Sequence, residues 1–224
     1  LENQRAHSET LPSIDWNWQI PDDYLDLASD SGTLLTMQDD GSLFATGDFA
    51  RDGTYRIELS VGLESLTAIR LRLLTDSRLP DNGPGRAGNG NVVLTDISLE
   101  IAGKTLRFDQ AWADHSQPEH PVSAAIDGQQ NSGWALNTTA LQRSRGAAMN
   151  SNHQAVFMFA KPQRIDGHTI TLVLKQQLHE SYQLGRFAID VSAALPVAEV
   201  ETLRLATKIG ELQTRIAALE EKVP

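Results

Sequence analysis

Residues 79–101 read LPDNGPGRAGNGNVVLTDISLEI, a loop rich in glycine and asparagine that leads directly into an alternating segment. The loop contains two turn sequences, Asp81-Asn82-Gly83 and Asn89-Gly90-Asn91, because glycine and asparagine tolerate positive φ angles. Pro80 and Pro84 each fix φ and lack a backbone N–H donor. The sequence therefore predicts an ordered, unpaired crossing over an edge or an end of a β-sheet.

The segment that follows the loop alternates between two sets of side chains, as a β-strand does. One set is apolar enough to face a core. We therefore predict a long strand from residue 92 onward, with this set pointing inward. Its members are Val93, Thr95, Ile97, Leu99 and Ile101.

Similar segments of period two recur between residues 14 and 194. Asp39-Asp40-Gly41 and Asp52-Gly53 are hairpin signals between them, and Gly103 marks a further tight hairpin. About ten to twelve short strands at regular spacing predict an antiparallel β-sandwich or jelly roll. The principal predicted strands are residues 34–38, 42–46, 54–61, 68–74, 97–102, 104–109, 168–174 and 184–194.

Three segments, in the same order, resemble a known group of modules. The stretch 79–101 resembles the LP…GPGR..NGN.VLTE motif of β-sandwich modules in large planctomycete surface or periplasmic proteins, where cytochrome-c-like domains accompany them. Residues 122–136, VSAAIDGQQNSGWAL, are similar to the A.DG…tgWa signature of those modules and, more loosely, to galactose-binding-like, discoidin-like domains. Residues 184–194, LGRFAIDVSAA, resemble their closing LGRFRIS strand. Val93 departs from an expected aromatic residue, and Asp96 from an expected glutamate.

The resemblance implies a carbohydrate-binding-like jelly roll within a larger exported protein, and hence a periplasmic or extracellular location. Residues 14–194 are then the sandwich module. Residues 1–13 are predicted to be a flexible leader without the regions of a signal peptide. The chain starts at Leu1 as a fragment of a longer protein would.

Composition disfavours several classes of function. A net charge of −10 at pH 7 argues against nucleic acid or an anionic membrane as a partner, because both attract concentrated lysine and arginine. No apolar run approaches ~20 residues, so the sequence predicts no membrane insertion. The absence of cysteine excludes disulfides, thiolate metal sites and a cysteine nucleophile.

Residues 197–223 change to a helical pattern. Apolar residues recur there at alternating steps of three and four, which is the a/d seam of a coiled coil. A single helix of this length is marginal in water, so it needs a partner. The sequence leaves open a second copy, a neighbouring domain or the sandwich itself. The seam residues are Leu205, Ile209, Leu212, Ile216, Leu219 and Val223.

Motifs for catalysis are absent, including HExxH, GxSxG and GxxxxGK. The GPGRAGNGN run precedes a strand, so it lacks the helix N-terminus that phosphate-binding loops use. Carboxylate pairs for glycoside hydrolysis depend on the fold and stay open at this point. We expect a protein that is not an enzyme.

Sugar-binding residues are expected around the longest polar loop, residues 137–153. Sugar recognition combines planar polar side chains for adjacent hydroxyls with an aromatic ring for the apolar face of the sugar. The glycine-rich loop is either purely structural or lines one rim of this site, and the polar loop is either functional or a mobile connection. The candidate ligand-binding residues are Trp134, Asn137, Arg143, Arg145, His153, Asn89 and Asn91.

Other residues have two interpretations each. Asp127 and Asn131 are hard-oxygen candidates for a structural calcium ion, or Asp127 caps a turn with Trp134 packed beneath it. Trp16 and Trp18 share one strand face and either stack on sugar or make core contacts. Trp112 and Tyr182 are further rings with the same two interpretations.

The expected function is therefore non-catalytic binding of a glycan at one end or face of the sandwich. The alternative is a structural or interaction module that packs against sister domains and self-associates through its C-terminal coiled coil.

Overall fold

The computed structural model describes residues 14–48, 53–167, 169–178 and 181–195, together with Leu205, Lys208, Ile209 and Leu212. These residues are mainly β-strand. The strands are β1 (Asp23–Ser29), β2 (Thr33–Met37), β3 (Leu43–Gly47), β4 (Gly53–Ser60), β5 (Ser65–Leu73), β6 (Val93–Leu94), β7 (Asp96–Ile101), β8 (Lys104–Arg107), β9 (Gln110–Ala113), β10 (Trp134–Ala135), β11 (His153–Arg164), β12 (Ile170–Gln176) and β13 (Arg186–Ser192). A short helix, α1 (Ala140–Ser144), and 3₁₀ turns at Pro80–Asn82 and Val122–Ala125 lie between them.

Two antiparallel sheets pack against each other as a β-sandwich. One has five strands in the order β1-β4-β12-β7-β8, and the other has six in the order β2-β3-β13-β5-β11-β9. β6 and β10 form a separate two-stranded pair. Both large sheets contribute to one continuous core, which contains Tyr55, Phe108, Trp134, Phe157 and Phe187. The mainly β, antiparallel architecture predicted from the sequence is confirmed.

Strand alternation decides which side chains form this core. In β4, Tyr55, Ile57 and Leu59 are fully buried, and the residues between them are more exposed. The Tyr55 ring stacks on Phe187 of the opposite sheet at 6.1 Å, and its hydroxyl donates to the Leu184 carbonyl at 3.0 Å. Because successive side chains of a strand point in opposite directions, each large sheet has one inner and one outer face.

The segment after the glycine-rich loop is not one strand, contrary to the sequence prediction. Val92 and Leu94 lie in the core, and so does Ile97, so the inward-facing set changes between them. Thr95 marks the change, because its N–H and its hydroxyl both donate to the Lys175 carbonyl, at 2.8 and 3.0 Å. As a result β6 pairs with β10, whereas β7 pairs with β12.

The glycine-rich loop is an ordered crossing, as the sequence predicts, but it is not unpaired. It passes over the chain that leads into β13, where Gly85 and Leu184 form an antiparallel bridge. Arg86 then reaches back to β2 and β3, donating to Thr33 Oγ1 at 2.8 Å and to the Gly47 carbonyl. These contacts fix the loop against both the closing strand and the first hairpin.

Two of the three hairpin signals are confirmed. Residues 39–41 connect β2 and β3, and Gly103 lies between β7 and β8; both pairs are antiparallel neighbours. The Asp52-Gly53 signal is wrong as a hairpin. The strand after it, β4, pairs with β1 and β12, in the sheet that does not contain β3. Asp52 itself lies outside the described residues.

The chain before β1 crosses the six-stranded sheet on the side away from the core. Trp16 is 8% exposed and packs there against three apolar side chains, Ala68, Val156 and Met158. A backbone bridge from Gln19 joins the segment to β13. Of the two interpretations of Trp16, the structure shows the packing contact.

The predicted coiled-coil helix falls mostly outside the described residues, as does the predicted leader, residues 1–13. Within 197–223, Leu205, Lys208, Ile209 and Leu212 are described, and all four are helical. The three apolar side chains are 62%, 55% and 52% exposed. A coiled coil therefore stays a prediction.

Two glycines of the crossing loop provide a matched test of its packing. A Cβ atom at Gly85 would overlap the Asn91 carbonyl and a Val92 methyl, whereas one at Gly88 meets nothing within 4 Å. We expect Gly85→Ala to lower the free energy of unfolding by about 1–3 kcal/mol, because the loop must shift. The control, Gly88→Ala, should change it by less than about 0.5 kcal/mol. Urea denaturation measures both, and equal effects would contradict tight packing of the crossing.

Candidate ligand-binding face

Two residues predicted to bind a ligand are buried in structural contacts instead. Trp134 is fully buried, and its Nε1–H donates to the His115 carbonyl at 2.9 Å. Asn91 is 3% exposed, and its Oδ1 accepts a hydrogen bond from the Leu136 N–H at 3.0 Å. Buried polar groups need such partners. Contrary to the expectation, neither side chain presents a surface to a ligand in this structure.

Three of the four exposed or partly exposed members of the predicted site make local hydrogen bonds. The Arg143 guanidinium donates to the carbonyl of Thr138 and so folds back on its own loop. Asn137 is exposed, and its Oδ1 accepts the Thr138 N–H at 2.8 Å. Asn89 is partly exposed, and its Oδ1 accepts a backbone N–H two residues further on at 3.2 Å. Arg145 is exposed at the end of α1. A role for these four residues in binding stays a prediction.

His153 is buried against a second histidine, His115, with ring centroids 5.0 Å apart. Its Nε2–H donates to the Ala148 carbonyl at 2.8 Å, and its Nδ1 lies 3.4 Å from the Asp114 carboxylate. Burial opposes protonation of His153, but the hydrogen bond and charge of Asp114 outweigh it and raise its pKa. Burial lowers the pKa of His115. His153 therefore anchors the end of the polar loop and does not offer its ring to a ligand.

The predicted calcium residues lie in a closed turn. Asp127 Oδ1 accepts the Gln129 N–H, and Oδ2 accepts the Ser132 hydroxyl, both at 2.7 Å. This is the capped turn beside buried Trp134 that the sequence offered as the alternative. Asn131 is exposed. Calcium takes about six to eight oxygen ligands, and no group of three or more His, Asp or Glu side chains among the described residues could hold a metal ion.

The outer side of the six-stranded sheet carries a concentrated set of polar and aromatic side chains. Its strands contribute the positions that alternate with the core, and we call this surface the outer face. In register, Arg72 lies between Ala188 and Gln154, and Arg70 between Asp190 and Val156. The outer face consists of Phe44, Arg70, Arg72, Trp112, Gln154, Val156, Met158, Arg186, Ala188, Asp190 and Ser192.

Two arginines of β5 share one buried carboxylate on this face. The Asp190 side chain is 4% exposed and accepts hydrogen bonds from the Nε–H of Arg70 at 2.8 Å and of Arg72 at 2.7 Å. Burial, and next the charge of Asp190, raise the pKa of Tyr24 to about 12, so this nearby phenol stays neutral. The two arginine side chains are 23% and 35% exposed. The outer face therefore presents guanidinium donors in fixed positions.

Tryptophans border these arginines. Trp18 stacks on Trp16 with centroids 5.1 Å apart, and the Arg70 guanidinium carbon lies 4.7 Å from the Trp18 centroid. Such a contact favours a cation near the ring and helps to hold Arg70 in place. Trp112 is partly exposed on the edge strand β9 and packs against the apolar cluster that contains Trp16, Val156 and Met158. The part of its indole that stays exposed can meet the apolar side of a sugar.

A groove of about 460 Å³ opens at the other end of the outer face. Phe44, Arg78 and Leu79 help to line it, and the Arg78 guanidinium lies 3.8 Å from the Phe44 centroid. Asp76 fixes Arg78 through hydrogen bonds of 2.8 and 2.7 Å and also lies 3.3 Å from Arg186. The glycine-rich loop therefore lines one rim of a groove, but through Leu79, Pro80 and Arg86 and not through the two predicted asparagines.

Sequence reasoning misses Arg70, Arg72 and Asp190, because charged residues at the outward positions of strands are ordinary surface residues. One signal was available. Asp190 stands between Ile189 and Val191 in the middle of the closing strand, where a carboxylate needs a cation close by. Its partners Arg70 and Arg72 lie 120 and 118 positions earlier in the chain. Only the order of the strands in the sheet therefore reveals the pairing.

Comparison with known proteins finds no family model, no curated protein and no solved structure that matches this chain. Within the described residues, the structure has no helix of the length and apolarity needed to cross a membrane.

The contacts of Asp76 with Arg78 and Arg186 predict that the stability of the fold depends on pH. Hydrogen bonds from Arg78, opposed by burial, lower the pKa of Asp76 from 3.8 to about 2. A carboxylate with a depressed pKa stabilises the fold above its unfolded pKa, and this contribution is lost as the pH falls from 4 to 2. We expect Asp76→Asn to flatten that part of the stability curve, measured by urea denaturation at several pH values. An unchanged slope in the variant would contradict the assignment.

Proposed function

We propose that this chain is a non-catalytic carbohydrate-binding module whose ligand lies on the outer face of the six-stranded sheet. The observation that carries the proposal is the arrangement of Trp112, Arg70 and Arg72 on neighbouring strands. Trp112 and Arg70 both pair in register with Val156, so their strands are separated by two spacings, roughly 10 Å. Trp16 packs over Val156 between them, so a sugar chain that meets this partly exposed ring and these planar donors crosses the strands beside Trp16, on the side of Gln154 and Arg72.

The resemblance supports the same proposal independently. It implies a jelly roll related to galactose-binding-like modules, and a parent protein that is exported to the periplasm or the cell exterior. These finer assignments belong to the proposal, as does the planctomycete origin. We put the ligand site on the outer face because Trp134 and His153 are buried and Arg143 folds back on its own loop.

A glycan array probed with the purified chain, with and without calcium, tests this function. We expect a saturable hit that changes tryptophan fluorescence. Trp112→Ala should weaken the hit about tenfold, because a stacked ring contributes on the order of 1 kcal/mol beyond its buried area.

Leu25→Ala is the matched control, because Leu25 is a 49% exposed apolar residue on β1 of the opposite sheet. It should leave binding unchanged. A blank array, or equal weakening by both variants, would contradict the proposal.

One observation favours a second candidate, an assembly module. Leu205, Ile209 and Leu212 are helical and more than half exposed, so this apolar stripe is not covered by the described part of the sandwich. Their spacing continues into the a/d pattern of the sequence. A second copy of the same helix would bury the stripe.

Sedimentation velocity over a range of concentrations tests assembly. If the stripe pairs with a second copy, Ile209→Asp should abolish concentration-dependent association, because a carboxylate in an apolar seam is costly to bury. Lys208→Asp is the matched control, since it also introduces an aspartate but one position away from the apolar stripe. A wild-type chain that stays monomeric would contradict this second candidate.

A further inference from the structure

The cluster of Arg70, Arg72 and Asp190 on the outer face exposes hydrogen-bond donors and buries its acceptor. Asp190 is the carboxylate that Arg70 and Arg72 share, yet only 4% of its side chain is exposed. The exposed parts of the cluster belong to the two arginines. A ligand that reaches this surface therefore meets donors, while the acceptor beneath them is covered.

The arginines retain donors after binding Asp190. A guanidinium carries five N–H groups. Among the described residues, Asp190 engages the Nε–H of Arg70 and the Nε–H and Nη2–H of Arg72. Both terminal nitrogens of Arg70 and one terminal nitrogen of Arg72 thus have no acceptor among the described residues, on side chains that are 23% and 35% exposed. They belong to side chains that Asp190 and Trp18 hold in place.

The net charge of the Arg70, Arg72 and Asp190 cluster also favours a ligand that accepts hydrogen bonds. Two guanidinium groups against one carboxylate leave an excess of one positive charge, on a protein whose net charge is −10. A neutral sugar hydroxyl satisfies a donor only weakly. A carboxylate or sulfate oxygen accepts charge-assisted hydrogen bonds, which are about twice as strong as neutral ones.

We propose that the outer face selects an anionic glycan, in which a carboxylate or sulfate group binds Arg70 and Arg72 while a neighbouring sugar ring lies against Trp112. This inference rests on the proposed function and narrows it to a ligand class. It assigns the arginines to specificity and the tryptophan to general sugar affinity.

Matched ligand pairs test the inference by calorimetry. One pair is hexagalacturonate and its fully methyl-esterified form, which differ in charge on the same backbone. The other is a κ-carrageenan hexasaccharide and its desulfated form. We expect at least one anionic ligand to bind about tenfold or more tightly than its neutral counterpart, and the pair that responds distinguishes carboxylate from sulfate. Raising the salt concentration should narrow the difference, because exposed charges are screened.

Variants locate the effect. Arg72→Gln should remove most of the preference for the anionic ligand, and Arg72→Lys should restore part of it. The control is Arg56→Gln, because Arg56 pairs with Glu100 on the opposite sheet and its loss changes the net charge equally. In Arg72→Gln, Asp190 keeps its bond to Arg70, so melting temperatures should show that the variant folds.

Each outcome decides between the two proposals. Equal binding of charged and neutral ligands, or an equal loss in Arg72→Gln and Arg56→Gln, would overturn the anionic preference and leave carbohydrate binding intact. Binding of none of the four ligands, together with a blank glycan array, would overturn both. A preference that Arg72→Gln abolishes and Arg56→Gln retains supports the inference.

Discussion

The rest of this structure depends on the burial of one layer of apolar side chains between two antiparallel sheets. Each fully buried side chain of the layer, such as Tyr55 or Phe187, stabilises the folded state by roughly 1.5–3 kcal/mol relative to leaving that side chain exposed. A slip of one residue in a strand would exchange its inner and outer side chains, so burial of this layer fixes the register. The same register fixes the positions of the outer face, where the side chains of Arg70 and Arg72 stay partly exposed.

The buried carboxylate of Asp190 illustrates what this rigidity allows. Removing an ion from water costs several kcal/mol, and a buried pair repays this only with good geometry. Here two arginines on the adjacent strand share the carboxylate, and an indole lies against one of them. Such an arrangement is weak support for stability by itself. It does order two long side chains in advance, which lowers the entropy lost when a ligand binds them.

Much of the fold follows from the sequence, because alternation and turn chemistry are local signals. Residues 39–41 and Gly103 predict their hairpins, and the glycine-rich loop predicts its crossing. The signal fails where tertiary contacts decide. At Thr95 two hydrogen bonds to Lys175 reverse the inward set, and after residue 53 the chain enters the other sheet.

The candidate site was harder to predict for the same reason. Trp134 is a residue type that often stacks on sugars, but it is buried here and its indole N–H donates to the His115 carbonyl. Arg70 and Arg72 are of a residue type that is ordinary at a protein surface, but the order of the strands brings them to Asp190. Residue type suggests what a side chain can do. Its neighbours across the sheet, far away in sequence, determine whether it is accessible to do it.

The most direct measurement is a two-dimensional ¹H–¹⁵N NMR titration of the chain with an anionic oligosaccharide. It separates the two possible locations of the site in one experiment. Binding on the outer face predicts shifts of the Nε–H signals of Arg70 and Arg72 and of the Trp112 indole, with the amides of Asn137 and Arg145 unmoved. Shifts confined to those two amides and their loop would contradict the account, as would a spectrum that no oligosaccharide changes.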